Sequence, residues 1–221
     1  MKSFLLFLLV CLFHLSAIGQ PKSEDLFVFV GKKISVSKVR GTSSPTYDTI
    51  EPRSSDKDTF FILKIGYPKY AAVYKIIKPV YGNFTDDTIQ FAAFDEFADP
   101  DFVKYEHVLL FLKKEKTGRF RYLHQFFDLY QTTNGRWASD YDLKSYSHPR
   151  SDEFTVEPEK IPFKKGVYID ISSFDEGYIK EHYPSPYYKI EDDKAIPIYG
   201  NYLEDLFKLK KQGVLKARGY F

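Results

Sequence analysis

Residues 26–38 read LFVFVGKKISVSK, and this stretch decides the fold. From Val28 onward, mostly apolar side chains occupy every second position, while Lys33 and Ser35 lie on the other side. The first series consists of Val28, Val30, Lys32, Ile34 and Val36. A period of two is typical of a β-strand with one buried face, and Gly31 allows a bend or bulge within it.

Further strand patterns follow along the chain. They are predicted at residues 59–67, 70–80, 88–94, 108–112 and 119–130. The segment 108–112, VLLFL, is apolar throughout, which is typical of a central strand that is covered on both faces. Phe and Tyr favour strands, and the chain contains 21 Phe and 18 Tyr. We therefore expect a mainly β fold.

Turn residues and polar stretches mark the connections between these strands. Asn134-Gly135 is a strong hairpin signal, and Pro79 restricts its strand end to a sheet edge or a terminus. Residues 40–58 are polar and rich in Ser, Thr, Pro and Asp, so we interpret them as a long mobile loop. The acidic residues 95–101 are interpreted as a second loop.

The strand pattern weakens after residue 138. Residues 165–171 are predicted to add one more strand, and a helix is predicted at about 202–212. Asn201 and Glu204 form a candidate pair of capping residues at the start of that helix. The helix is expected to end at Gly213, after a last turn rich in lysine.

The N-terminus has the pattern of a cleavable signal peptide at residues 1–19. Lys2 precedes an apolar run that is too short to span a bilayer, and cleavage is predicted between Gly19 and Gln20. A retained N-terminal anchor is the alternative. The predicted cut removes Cys11, the only cysteine, so the mature chain is expected to be exported to the periplasm or outside the cell without any disulfide. No later segment is apolar enough to span a membrane.

Several segments together resemble netrin-like domains and tissue inhibitors of metalloproteinases, which are OB-fold barrels. The matching segments are FVFVGKKISV at 27–36, AVYKIIKPVYG at 72–82, TIQF at 88–91, VLLFL at 108–112 and the turn at 134–135. The resemblance covers about residues 26–138 and implies an OB-like five-stranded barrel at 20–138. The extension 139–221, with one or two strands and the C-terminal helix, is then expected to pack on that barrel. Metalloproteinase inhibitors of this family chelate zinc through an N-terminal cysteine, which the mature chain lacks, so no functional residue carries over.

Composition and motifs exclude several classes of function. The formal net charge is only +2 and both signs are mixed along the chain, which argues against a nucleic-acid partner. The chain has neither HExxH, a GxSxG elbow nor a glycine-rich phosphate loop. The acidic stretch 95–101 lacks the spacing of a calcium loop, so a solvated loop is the preferred interpretation. The sequence therefore predicts no metal, no cofactor and no assignable catalytic residue.

Four histidines remain after residue 19, and none pairs with another at helical spacing: His107, His124, His148 and His182. His124 is interpreted as a packed histidine in its strand, with a ligand or base as the alternative. His107 follows Glu106 at a strand end, where a rim ion pair is expected. Asn83-Phe84-Thr85 is an N-glycosylation sequon, which matters only in a eukaryotic source.

Aromatic residues give the main indication of a binding surface. They form two groups. The first is Tyr70, Tyr74, Tyr81 and Phe84 around one strand and its turn, and the second is Tyr178, His182, Tyr183, Tyr187 and Tyr188 in a proline-rich segment, of which Tyr183 and Tyr187 are the candidate binding residues. Tyrosine combines a large contact area with a polar tip, which suits protein or carbohydrate partners. The alternative is that these rings belong to the core of a β-rich fold.

Three hypotheses for the function follow. The first is an exported, non-enzymatic binding module that acts on another macromolecule, as an inhibitor, an immunity protein or an envelope-associated protein. The second is an extracellular or periplasmic hydrolase that uses carboxylates, and the third is a structural component of a surface assembly. A deep pocket that holds two or more converging, buried titratable groups would contradict the binding module, whereas a filled barrel with only an exposed aromatic patch would contradict the hydrolase.

Overall fold

The computed structural model describes residues 22–39, 46–50, 60–64, 69–94 and 99–221. The predicted signal peptide at 1–19, with its cleavage site and Cys11, lies outside the described residues. So do residues 40–45 and 51–58 of the predicted long loop, residues 59 and 65–67 of the predicted strand 59–67, and residues 95–98 of the acidic stretch.

Five strands close into a barrel. They are β1 (Leu26–Lys38), β4 (Lys69–Tyr81), β5 (Thr88–Phe94), β6 (His107–Lys114) and β7 (Phe120–Asp128), in the order β1-β4-β5-β7-β6. The β5–β7 pair is parallel, and the other strand pairs of the barrel are antiparallel. The prediction of a mainly β fold with a five-stranded barrel is confirmed, and the barrel is compatible with an OB-like fold.

A short hairpin precedes β4. Its strands are β2 (Thr46–Ile50) and β3 (Phe60–Lys64), which pair antiparallel. The interpretation of 40–58 as loop is therefore wrong at residues 46–50. Tyr47 and Ile50 favour a strand, but they lie among turn-forming residues that dominate the local composition.

Both faces of the first half of β1 are buried, not one. Phe27 and Phe29 point into the barrel, where they belong to its inner core. Leu26, Val28 and Val30 point outward and are covered by the C-terminal helix, through side chains that include Leu206 and Leu215. The expectation of a half-buried strand is wrong here because a distant segment supplies the second covering layer. Ile34, in the second half of the strand, is exposed.

One aromatic residue fills the centre of the inner core. Phe102 lies on a 3₁₀ helix, Asp101–Lys104, between β5 and β6 and has no exposed surface. Its ring contacts those of Tyr74, Phe91 and Tyr122, with centroids 6.0, 5.8 and 4.7 Å away. The barrel interior is therefore packed with side chains.

The rest of the chain forms two small sheets and three short α-helices. The strands are β8 (Tyr130–Gln131), β9 (Trp137–Asp140), β10 (Glu159–Lys160), β11 (Ile169–Asp170), β12 (Tyr188–Glu191), β13 (Lys194–Pro197) and β14 (Tyr199–Tyr202). Their orders are β10-β14-β9-β8 and β11-β13-β12. The helices are α1 (Leu143–Tyr146), α2 (Glu176–His182) and α3 (Leu203–Lys210), with 3₁₀ turns at Lys22–Asp25 and Ser151–Glu153. The predicted strand at 165–171 is shorter than expected, since only Ile169–Asp170 pairs.

The predicted C-terminal helix is confirmed and extends further than expected. α3 continues into a π-helical turn at Lys211–Leu215, with a break in helical geometry at Gly213. The predicted capping pair is wrong, because the residue before the helix is Tyr202 and it makes no side-chain cap. Asn201 instead accepts a hydrogen bond from the Tyr146 hydroxyl and donates one to the Glu157 carbonyl.

The backbone of Leu26 packs closely against Gly82, which follows the end of β4. The φ of Gly82 is +93°, and a Cβ there would lie 2.8 Å from the Leu26 carbonyl oxygen. Gly82→Ala is expected to lower the free energy of unfolding by about 2 kcal/mol through left-handed strain and this close contact. Gly118→Ala is the matched control, since φ is +79° there and nothing lies within 4 Å of the added Cβ. Urea unfolding of both variants measures the difference, and equal losses would contradict a role for the Leu26 contact.

Candidate functional site

A recess lined by several titratable side chains lies between the barrel and the C-terminal half of the chain. This cavity has a volume of about 710 Å³, which is in the range of ligand sites. One wall comes from β7 of the barrel, and the others come from the ends of β9 and β11, from α1 and α2, and from the C-terminal helix.

A hairpin brings two aspartates together in this cavity. β8 and β9 pair with Tyr130 opposite Ala138 and Gln131 opposite Trp137, around the predicted turn at Asn134-Gly135. Asp128 lies just before this pairing and Asp140 at the end of β9, and they come close enough that the charge of Asp128 acts on Asp140. Two carboxylates facing each other across a hairpin repel, so this arrangement costs stability. We call Asp128 and Asp140 the carboxyl pair.

Neighbouring hydroxyl groups hold the carboxyl pair in place. The Ser139 Oγ lies 3.4 Å from Asp128 Oδ1 and 3.3 Å from Asp140 Oδ1, so one hydroxyl contacts both carboxyl groups. The Tyr188 hydroxyl lies 2.8 Å from Asp140 Oδ2, and the Tyr130 hydroxyl bonds to Asp128. The two carboxyl groups are thus fixed at hydrogen-bond range of a shared donor.

Burial makes the carboxyl pair hold protons more readily than exposed aspartates do. Burial is the main cause that raises the pKa of Asp128, and the Tyr130 hydrogen bond opposes it. Burial and then the charge of Asp128 raise the pKa of Asp140 further. Both side chains still retain some exposed surface towards the cavity. The carboxyl oxygens of the pair can therefore accept hydrogen bonds from a ligand, and the raised pKa values favour the protonated form, which also donates.

Neutral tyrosines surround the carboxyl pair. Burial, and then the nearby carboxyl groups, raise the pKa of Tyr105, Tyr130 and Tyr188. Burial, followed by Tyr178 and the carboxyl pair, raises the pKa of Tyr183 to about 12. These four phenols keep their protons at ordinary pH and act as hydroxyl donors.

A stack of aromatic rings forms another part of the cavity wall. The Phe174 and Tyr178 centroids lie 4.5 Å apart, and those of Tyr178 and His182 lie 3.8 Å apart. Phe174 is 38% exposed and Tyr178 is 39% exposed. We call Phe174, Tyr178 and His182 the ring stack. It offers flat apolar surface beside the carboxyl pair.

A buried ion pair links the C-terminal helix to α1 at the cavity edge. Lys210 Nζ lies 3.1 Å from Asp142 Oδ2 and donates to Ser145 Oγ at 2.9 Å. The Ser145 hydroxyl donates to Asp142 Oδ2 at 2.6 Å. Lys210 Nζ also lies 4.3 Å from the centroid of the Phe127 ring. Because each polar group of this set has a partner within it, we assign it a structural role.

The predicted binding residues do not come together in one place. Tyr70 and Tyr74 are buried in the barrel core, and Phe84 packs on Phe27 and Phe29. The remaining three are Tyr81, which packs on Phe207 and Phe221, Tyr183, which lines the cavity, and Tyr187, which stacks on Tyr141 at 3.8 Å. Only Tyr183 of the predicted set therefore lies in the cavity wall.

The four histidines do not form one cluster. Three of them, His124, His148 and His182, line the cavity, and His107 does not. His124 is exposed with a φ of 56°, so its interpretation as a packed strand residue is wrong. An irregularity in the β6–β7 pairing between Leu110 and Leu112 interrupts the alternation on which that interpretation depends. The rim ion pair near His107 joins Lys32 to Glu106 at 3.1 Å, while His107 itself packs on the Trp137 ring.

Two absences hold for the described part of the chain. Within it, no three His, Cys, Asp or Glu side chains converge in a way that would hold a metal ion. In the same ranges, no helix has the length and apolar character needed to cross a membrane. Comparisons of the chain with protein-family models, curated proteins and solved structures found no match.

Proposed function

We propose that this protein is an exported, non-enzymatic binding module whose ligand, a carbohydrate of a larger macromolecule, enters the cavity. The single observation that carries the proposal is the carboxyl pair and the ring stack lining one recess. Export rests on the predicted signal peptide.

Carbohydrate chemistry fits both parts of the cavity. Sugar hydroxyls donate to carboxylates and accept from protonated carboxyl groups and phenols, and the carboxyl pair and its tyrosines offer all of these. The apolar C–H faces of sugar rings pack on exposed aromatic rings, which the ring stack presents. In contrast, a phosphorylated or strongly anionic ligand would meet the carboxyl pair at close range.

The barrel also supports the finer proposal of a netrin-like module. The basis is the five-stranded barrel together with the matching segments between residues 26 and 138. A zinc-chelating N-terminal cysteine has no counterpart here, since Cys11 lies within the predicted signal peptide. The proposed ligand site is consequently the cavity rather than the N-terminus.

Binding of oligosaccharides tests the function. Six-unit oligomers of β-1,4-linked glucose, N-acetylglucosamine and xylose, titrated calorimetrically into the protein, are expected to include at least one ligand. Tyr178→Ala, which removes the centre of the ring stack, is expected to weaken its binding at least tenfold. The matched control is Tyr168→Ala, at an exposed tyrosine that does not line the cavity.

Two results would contradict the proposal. One is that none of these oligomers binds. The other is that an oligomer binds with the same affinity to Tyr178→Ala and to the unchanged protein, which would place the ligand elsewhere.

A hydrolase is the second candidate, because two carboxyl groups with raised pKa values converge in the cavity. A carboxyl pair can serve as acid and base in glycoside hydrolysis. In that case the protein releases new reducing ends from a bound oligomer, and Asp128→Asn and Asp140→Asn each abolish the release. Binding without any release supports the non-enzymatic module instead.

A further inference from the structure

A second recess lies on the other side of the tyrosines that surround the carboxyl pair. This groove has a volume of about 670 Å³. Its lining includes Trp137, the only tryptophan of the chain, whose ring centroid lies 4.8 Å from that of His107. Ile77, which is 42% exposed, and Leu129 add apolar surface.

Polar groups accompany the apolar surface of the groove. Lys32 and Glu106 neutralise each other across its edge at 3.1 Å. Gln131 presents its amide and accepts a hydrogen bond from Lys164. Lys75 lines the groove and has no ion-pair partner among the described residues. The groove therefore combines aromatic rings and an amide with charged side chains.

Two tyrosines lie between the groove and the cavity. Tyr105 lines both recesses. Tyr130 lines the groove, while its hydroxyl bonds to Asp128, which lines the cavity. Both side chains are partly exposed. A linear ligand that passes over these two phenols has surface to contact on either side.

We propose that the groove binds the continuation of the carbohydrate chain whose other sugar units occupy the cavity, with Tyr105 and Tyr130 beneath the crossing point. This inference rests on the proposed function. A long neutral chain suits two adjoining recesses of similar size, because each is large enough for a small ligand and Tyr105 lines both. A short anion held by Lys75 would leave Trp137 and Ile77 without a partner, so the chain is the better occupant.

The length of the oligosaccharide distinguishes a ligand that occupies only the cavity from one that occupies both the cavity and the groove. Two-unit and six-unit oligomers of the sugar that binds are titrated into the full chain while Trp137 fluorescence is recorded. The six-unit oligomer is expected to bind at least tenfold more tightly and to change the emission of Trp137, which the two-unit oligomer leaves unchanged. Linked subsites give this gain because the second binding event becomes intramolecular.

A groove variant adds an independent readout. Ile77→Ser changes an exposed position of the groove. It is expected to weaken the binding of the six-unit oligomer at least threefold and to leave the affinity for the two-unit oligomer unchanged. The matched control is Ile190→Ser, at an exposed isoleucine that lines neither recess. Tyr178→Ala, in contrast, is expected to weaken the binding of both the two-unit and the six-unit oligomer.

The inference and the proposed function fail in different ways. Equal affinity for both lengths, with Trp137 emission unchanged by either, overturns the groove while the cavity proposal stands. Binding of the six-unit oligomer that is sensitive to Ile77→Ser but unaffected by Tyr178→Ala overturns the cavity as the primary site. Failure of every oligomer to bind overturns both.

Discussion

Replacing Lys210 with methionine is expected to lower the free energy of unfolding by about 3–5 kcal/mol, since removing one partner of a buried ion pair leaves the other uncompensated. The Lys210 side chain is only 9% exposed and that of Asp142 is 22% exposed. Burial lowers the pKa of Lys210, and the adjacent Asp142 opposes that effect. Methionine keeps the length of the stem that packs by Phe127, so the loss reports the charge rather than a cavity.

A surface ion pair further along the same segment provides the control. Lys216 pairs with Glu153 at 3.3 Å, and both side chains are about half exposed at 48% and 45%. Lys216→Met is expected to cause a much smaller loss, because exposed pairs are screened by water. Urea unfolding followed by circular dichroism compares the two variants. A similar small loss for both would show that Lys210 does not hold the C-terminal helix to α1.

Asp140→Asn is expected to stabilise the fold at neutral pH by about 1 kcal/mol, because it removes one of two neighbouring like charges. The substitution removes the repulsion between Asp128 and Asp140 and keeps an oxygen to accept from the Tyr188 hydroxyl. The same variant is expected to bind the proposed ligand less well. A residue whose removal improves stability while impairing binding is typical of a functional site.

The pH dependence gives a second measure of the carboxyl pair. The folded pKa of Asp140 lies above its ordinary value of 3.8, so the folded state holds the proton more tightly than the unfolded state does. The tighter proton binding therefore stabilises the unchanged protein fully at pH values below 3.8. This stabilisation is lost as the pH rises through the folded pKa of Asp140. The stability gap between Asp140→Asn and the unchanged protein must consequently widen as the pH rises.

Thermal unfolding across this pH range checks the sign of the effect. Asp152→Asn, at an exposed aspartate of the 3₁₀ turn Ser151–Glu153, is the control and is expected to leave the pH profile unchanged. A gap between Asp140→Asn and the unchanged protein that narrows with rising pH would show that the folded state favours the ionised form of Asp140.

The barrel was predictable from sequence because its strands carry their own local signal. Periodic or continuous apolar runs locate β1, β4, β5, β6 and β7 to within a few residues. The carboxyl pair was only partly within reach. The hairpin turn at Asn134-Gly135 is evident in the sequence, but counting outward from a two-residue turn sets Leu129 opposite Asp140, whereas the observed register pairs Tyr130 with Ala138 and Gln131 with Trp137. The sequence does not state how deeply Asp128 and Asp140 are buried.

The rest of the site depends on contacts between distant segments. Asp142 meets Lys210 across 68 positions of the chain, and Tyr188 reaches Asp140 across 48. Short strands and helices with mixed composition supply these contacts, and periodicity says little about such elements. Predicting binding from aromatic content also selected Tyr74, which is a core residue, because local sequence does not distinguish a ring facing a ligand from one facing the core.

The late position of the segment that covers the outer wall of the barrel affects how the protein is made. While a ribosome is still synthesising residues 203–215, Leu26, Val28 and Val30 have been complete for most of the translation time but lack their covering layer. The nascent barrel therefore exposes an apolar stripe, and stable folding waits for nearly the whole chain to emerge. A chain that folds this late remains available to chaperones that bind exposed apolar segments.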